Sequence, residues 1–211
     1  MTRLAAATRA VLALLILAAL LSNAVQAARD GLLAQNFSYF TNQSNLFFVV
    51  LLLVGPVLGT RRPPWFEDVR GAVAFYLAMT GIIYALLVAP LDELLRWDIG
   101  WTGIVLHRLA PLVALADWLL APRRRVPSAR RILWWQLFPV VFLTLTWVRG
   151  GVTGWYPYGF LDPTLTSWGQ VLTTTAVVLV AFFAIATAVH LLGGRLARTS
   201  HRTSGAPAPR R

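Results

Sequence analysis

Thr41 opens the polar run of FSYFTNQSNLFFVV, in which Thr41, Asn42, Gln43, Ser44 and Asn45 lead directly into an apolar segment. Two other stretches carry comparable groups. His107 and Arg108 stand side by side in TGIVLHRLAPLVALADWLL, and VRGGVTGWYPYGFLDP brings Arg149, Trp155, Tyr156, Tyr158 and Asp162. Together they supply hydroxyls, an imidazole, cations, amides and aromatic walls, the parts of a site for a polar group carried on an apolar ligand. His107 is the most pointed of these signals. An ionisable group inside a lipid-spanning segment is costly and by default marks function. A threonine in such a place ordinarily bonds the carbonyl four residues back or a neighbouring helix. Arg108 and Arg149 can equally snorkel to the interface or hold anionic headgroups. The residue types therefore mark a site and leave its reaction open.

Several chemistries are excluded. With no Cys there is no disulfide, thiolate metal site or Cys nucleophile. A bis-histidine haem needs two His at one depth, whereas His107 and His190 fall near opposite helix ends and His201 lies in the tail. DELLRWD groups Asp92, Glu93 and Asp98 without a His, which reads as a solvated loop rather than a metal site. No glycine pattern of the phosphate-cradling kind occurs. The net charge of +11 comes from arginines in short clusters between apolar runs, so it reads as a topology signal and not as a nucleic-acid surface.

The elements that must position these groups are lipid-spanning helices. The 211 residues are 57% hydrophobic and 13% charged, outside the range of an ordinary soluble domain. A spanning helix needs about 20 mostly apolar residues, and six stretches qualify: 9–28, 40–59, 69–90, 101–120, 132–148 and 168–192. The expected fold is all-α, one six-helix bundle over 1–194, with a disordered basic tail over 195–211. The arginines gather at the N-terminus (Arg3, Arg9), the second loop (Arg61, Arg62, Arg70), the fourth loop (Arg123, Arg124, Arg125, Arg130, Arg131) and the tail, which places both termini in the cytoplasm. The basic start and small-residue end of the first stretch resemble a signal peptide, but its length fits an uncleaved span. Trp97, Trp101, Trp118, Trp134, Trp135, Trp147, Trp155 and Trp168 fall near expected helix ends, as an interfacial belt would.

In this topology the second and fourth helices both enter from the outer face. Thr41 and His107 then lie at similar depth, and the WYPY loop closes over the same end. Ser38, Thr41 and Asn45 at i, i+3 and i+7 form one helical stripe that can face the interior. Asp117, near the opposite end of the fourth helix, is expected to pair with the nearby Arg cluster.

Three stretches, SYFTNQSNL, TGIVLHRLAPLVALADWLL and VRGGVTGWYPYGFLD, resemble the androgen-induced and androgen-dependent membrane protein family. These are multi-pass hydrolases of fatty acid esters of hydroxy fatty acids, and the likeness is stronger to their actinobacterial membrane relatives. Order, spacing and the six-span layout agree over most of the chain. The resemblance implies that Thr41 is a nucleophile and that His107, followed at i+4 by Pro111, assists it through an acyl-threonine intermediate. It also implies a plasma-membrane location, a hydrophobic lipid-ester substrate, membrane lipids as partners, no nucleic acid, no cofactor and no metal. Where the animal proteins carry further His residues before V-T-G-x-W, this chain has Arg149 and Gly150. Asn42, Asn45, Arg108 and Arg149 are the candidate donors to a developing oxyanion, and Ser38, Trp155, Tyr156, Tyr158 and Asp162 complete the candidate pocket. The competing readings are a lipid or small-solute binder or transporter using the same pocket, and a structural subunit.

Overall fold

The computed structural model describes residues 3–59, 62–88, 99–120 and 130–204, with side chains up to 193. Arg61, Arg96, Trp97, Arg123, Arg124, Arg125 and the carboxylates of DELLRWD lie outside the described residues, as do the side chains of the tail. Six helices are long and apolar enough to cross a membrane: Arg3–Arg29, Phe40–Leu58, Pro64–Val88, Gly100–Leu120, Arg130–Thr153 and Trp168–Gly193. They are called the first to sixth spans below. No strand occurs among the described residues, so the chain is an all-α multi-pass bundle. The last helix continues to Ser204, past the expected start of the disordered tail at 195. Its extension begins RLAR, residues of good helix propensity.

The third span is the axis of the bundle. It is buried without interruption from Arg70 to Thr80, as a helix apolar on all sides must be. Small residues let its neighbours approach. A Cβ at Gly71 would sit 2.3 Å from the Trp135 ring and 2.8 Å from Trp118. Those two tryptophans are therefore not members of an interfacial belt. They are 2% and 1% exposed, and their indole N–H groups donate to Asp68 and Val189 carbonyls. Trp101, Trp134 and Trp168 are exposed.

The helices are irregular at several points. A short helix, Leu33–Asn36, precedes the second span. The third span ends in a π-helical turn, Tyr84–Val88, and the fourth contains another, Val105–Leu109. The fifth span breaks at Gln136, between Arg130–Trp135 and Leu137–Thr153.

At one end of the bundle, charges close on each other. Asp117 of the fourth span accepts from Arg9 of the first and from Arg70 Nε (3.1 Å) and Nη2 (3.0 Å) of the third. Arg70 Nη1 also donates to Glu67 at 2.9 Å. The expected partner of Asp117 was the fourth-loop cluster. Its members Arg123, Arg124 and Arg125 lie outside the described residues, and among the described ones two arginines on neighbouring spans, Arg9 and Arg70, reach Asp117.

Candidate functional site

Thr41 is the second residue of the second span, which begins at Phe40 after Tyr39. His107 is in the middle of the π-helical turn of the fourth. Thr41 Oγ1 lies 3.4 Å from His107 Nε2. The two side chains thus face each other, which similar depth alone did not establish. The distance is at the long end of hydrogen-bond range, as nucleophile and base often are without a ligand.

His107 owes its position to a defect in its helix. In the π turn the Ala110 N–H bonds Val105, five residues back, in place of Leu106. Pro111 has no N–H to offer the His107 carbonyl four residues behind it. The freed Leu106 carbonyl is taken by Asn45 Nδ2 at 3.2 Å, and the same amide donates to the Thr41 carbonyl at 2.9 Å. Asn45 is wholly buried. One side chain therefore ties the residue of the hydroxyl to the turn of the imidazole. The His107 carbonyl faces Gly81, where a Cβ would come within 3.3 Å. Tyr84, from the facing π turn, stacks on the imidazole with centroids 3.8 Å apart and planes at 22°.

The rest of the polar run is equally committed. Asn42 Nδ2 donates to the carbonyl (2.6 Å) and side chain (3.0 Å) of Asn36, and Gln43 Nε2 to the Phe37 carbonyl (2.9 Å). These bonds satisfy backbone acceptors at the end of the short helix. The Ser44 hydroxyl, also wholly buried, meets the Phe40 and Thr41 carbonyls and lies 3.0 Å from Thr80 Oγ1 on the third span.

Thr41 and His107 line a cavity of about 410 Å³ together with Asn42, Tyr158 and a largely apolar wall that includes Phe40, Met79, Phe142 and Leu179. Its size falls in the range of small-molecule sites. Tyr158 reaches it from the loop between the fifth and sixth spans. Its hydroxyl accepts the Phe40 N–H at 3.1 Å and interacts with the hydroxyl and backbone N–H of Thr41. Burial pushes the phenol up to about 12, against a smaller opposing effect of those hydrogen bonds.

The other expected pocket residues are elsewhere. Ser38 precedes the helix, so the stripe Ser38, Thr41, Asn45 does not form. Its hydroxyl donates to Ala34, and it shares a separate groove with Arg149. The Arg149 guanidinium lies 4.7 Å over the Trp155 ring. Trp155 packs edge-on against Tyr39, and Tyr156 lies over Gly150, where a Cβ would be 2.1 Å from its ring. Asp162 accepts from the backbone and hydroxyl of Thr164, which fixes the loop. Arg108 and Asn45 are absent from the cavity wall. Tyr84 was not singled out from the sequence, where it is one aromatic in a continuous apolar run. Tyr39, within SYFTNQSNL but not singled out there, also lines the cavity, as do Asn36 and Asn23, which no motif marks.

The arrangement can pass a proton from a hydroxyl to an imidazole beside an apolar chamber. No family model, curated protein or solved structure matches the chain.

Proposed function

We propose that this multi-pass membrane protein is a lipid-ester hydrolase with Thr41 as nucleophile and His107 as general base. The observation that carries the reading is the 3.4 Å approach of Thr41 Oγ1 to His107 Nε2 on the wall of the apolar cavity. The resemblance of SYFTNQSNL, the His107 segment and the VTGWYPYGF loop to the androgen-induced and androgen-dependent hydrolases supports the same assignment. By that resemblance the substrate class is a fatty acid ester of a hydroxy fatty acid.

In this reading an acyl chain lies in the cavity with its ester carbonyl at Thr41. Oγ1 attacks the carbonyl carbon as its proton passes to His107 Nε2, and the carbonyl π pair moves to oxygen. The tetrahedral intermediate expels the alkoxide, which takes the proton from His107 and leaves an acyl-threonine. Water, deprotonated by His107, attacks that ester. Thr41 Oγ1 leaves with the proton and the carboxylic acid departs. The distribution of arginines favours a site at the extracytoplasmic end of the bundle.

The test is labelling of the detergent-purified chain with a fluorophosphonate, comparing wild type with Thr41→Ala and His107→Ala. Labelled wild type and unlabelled variants are the expected result. Unlabelled wild type beside a reactive control hydrolase would overturn the hydrolase reading. The mostly apolar wall would then favour a lipid-binding or transport role for the same cavity.

A further inference from the structure

An ester hydrolase of this kind needs a donor for the charge that develops on the carbonyl oxygen, worth about 10²–10³ in kcat where one such donor has been removed. Every side chain suggested for that task from sequence is committed or displaced. The amide nitrogen of Asn45 is spent on two backbone carbonyls, and that of Asn42 on Asn36. Arg108 and Arg149 do not line the cavity.

Tyr158 meets the requirement. Its oxygen accepts the Phe40 N–H at 3.1 Å and lies against the N–H and hydroxyl of Thr41. A phenol has one proton to give and lone pairs to receive. With the Phe40 N–H directed at its oxygen, its proton is left for an acceptor at Thr41. Resting on the hydrolase reading above, we propose that the Tyr158 hydroxyl is the oxyanion donor, its proton bonding the former carbonyl oxygen of the ester once Thr41 Oγ1 has attacked. No proton is transferred from Tyr158 in this step, so the atoms and electrons balance through Thr41 and His107 alone. Two features support the role. The ring is held in place by a stack on Phe160, with centroids 5.3 Å apart, and an edge contact with Tyr39 at 5.8 Å. Burial keeps the phenol protonated at any pH at which the protein would be assayed.

The experiment uses the full chain in detergent, 4-nitrophenyl laurate as the ester probe, and a lauryl trifluoromethyl ketone, whose adduct with Thr41 carries the oxyanion. For Tyr158→Phe, kcat is expected to fall by about 10²–10³ while KM stays within a few-fold, and ketone affinity should weaken in parallel with kcat. A variant that merely loses the cap on Phe40 would not weaken the ketone selectively. Should Tyr158→Phe fold poorly, replacing Tyr158 with 3,5-difluorotyrosine keeps the contacts and makes the phenol more acidic. That protein should gain an alkaline limb in its kcat profile that wild type lacks. Wild-type kcat and ketone affinity in Tyr158→Phe, or an unchanged profile in the fluorinated protein, with Thr41→Ala inactive, would sink the Tyr158 role alone. Ester turnover and labelling that persist in Thr41→Ala would sink the hydrolase reading beneath it.

Discussion

The two ends of the fourth span treat polar groups in opposite ways. His107 and Asp117 are separated by roughly 15 Å along the helix. At Asp117 the carboxylate meets arginines from two other spans, Arg9 and Arg70, and Arg70 also pairs with Glu67 one turn back on its own helix. At His107 the helix is widened, its released Leu106 carbonyl is capped by Asn45, and the imidazole faces a hydroxyl beside an apolar cavity. The first end spends its polarity on holding spans together. The second spends side-chain amides on backbone repair and leaves one hydroxyl and one imidazole turned toward a chamber. Buried polarity in this bundle is thus not a functional marker by itself. What it is bonded to decides its meaning.

Removing a charge is the strongest way to break the comparison. Asp117→Ala leaves Arg70, whose side chain is 2% exposed, with Glu67 as its remaining salt-bridge partner. Loss of one partner of a buried pair costs about 3–5 kcal/mol. The variant is expected to melt far below wild type in detergent while its folded fraction labels at Thr41 normally. Labelling per folded molecule that falls with stability would show the two ends to be one coupled unit.

Next in size is Gly150→Ala. The new Cβ would meet the Tyr156 ring at 2.1 Å, and overpacking of this kind costs about 1–3 kcal/mol. The displaced ring belongs to the loop that carries Tyr158, so ester turnover should fall without any change to Thr41 or His107. Gly151→Ala is the control, since nothing lies within 4 Å of its Cβ. Equal activity in the two variants would mean that the loop does not set the site.

Much of the fold was legible because lipid imposes length. Six apolar runs gave six spans, with ends shifted by up to a turn or two. Thr41 and His107 were found because a polar run and an ionisable residue are conspicuous in apolar sequence. Asn42 and Tyr158 line the same cavity, and the pocket assignments that did not hold went astray for local reasons. The stripe through Ser38 assumed a helix that starts only at Phe40. Asn45 was read as a donor to ligand because a π turn, and hence a free carbonyl at Leu106, cannot be seen in hydrophobic periodicity. Arg149 was placed in the pocket by its loop, whereas its stacking on Trp155 turns it to another groove. Tyr84 carried no signal at all, since its role comes from a second π turn facing the first.

That pairing gives the third prediction. Tyr84 lies flat on the imidazole at 3.8 Å, and aromatic contacts of this kind are worth about 0.5–1.5 kcal/mol. Tyr84→Leu is expected to lower kcat by up to about tenfold through loss of ring alignment, while Tyr84→Phe keeps the stack and most of the rate. Equal losses in Leu and Phe would assign the effect to the Tyr84 hydroxyl instead of its ring.

The smallest expected effect is at Arg108, one residue from the imidazole. Adjacent residues of a helix point in different directions, and Arg108 is absent from the cavity that His107 lines. Arg108→Gln should therefore change kcat by no more than about twofold, since the side chain lies outside the chamber in which the ester is cleaved. His107→Gln, next to it, should abolish turnover. The pair measures how narrowly the helix defect selects one side chain for the chamber. If Arg108→Gln lost activity as His107→Gln does, a guanidinium would have to reach the ester. Charge would then act at this end of the span as well as at the Asp117 end, and the contrast between them would no longer hold.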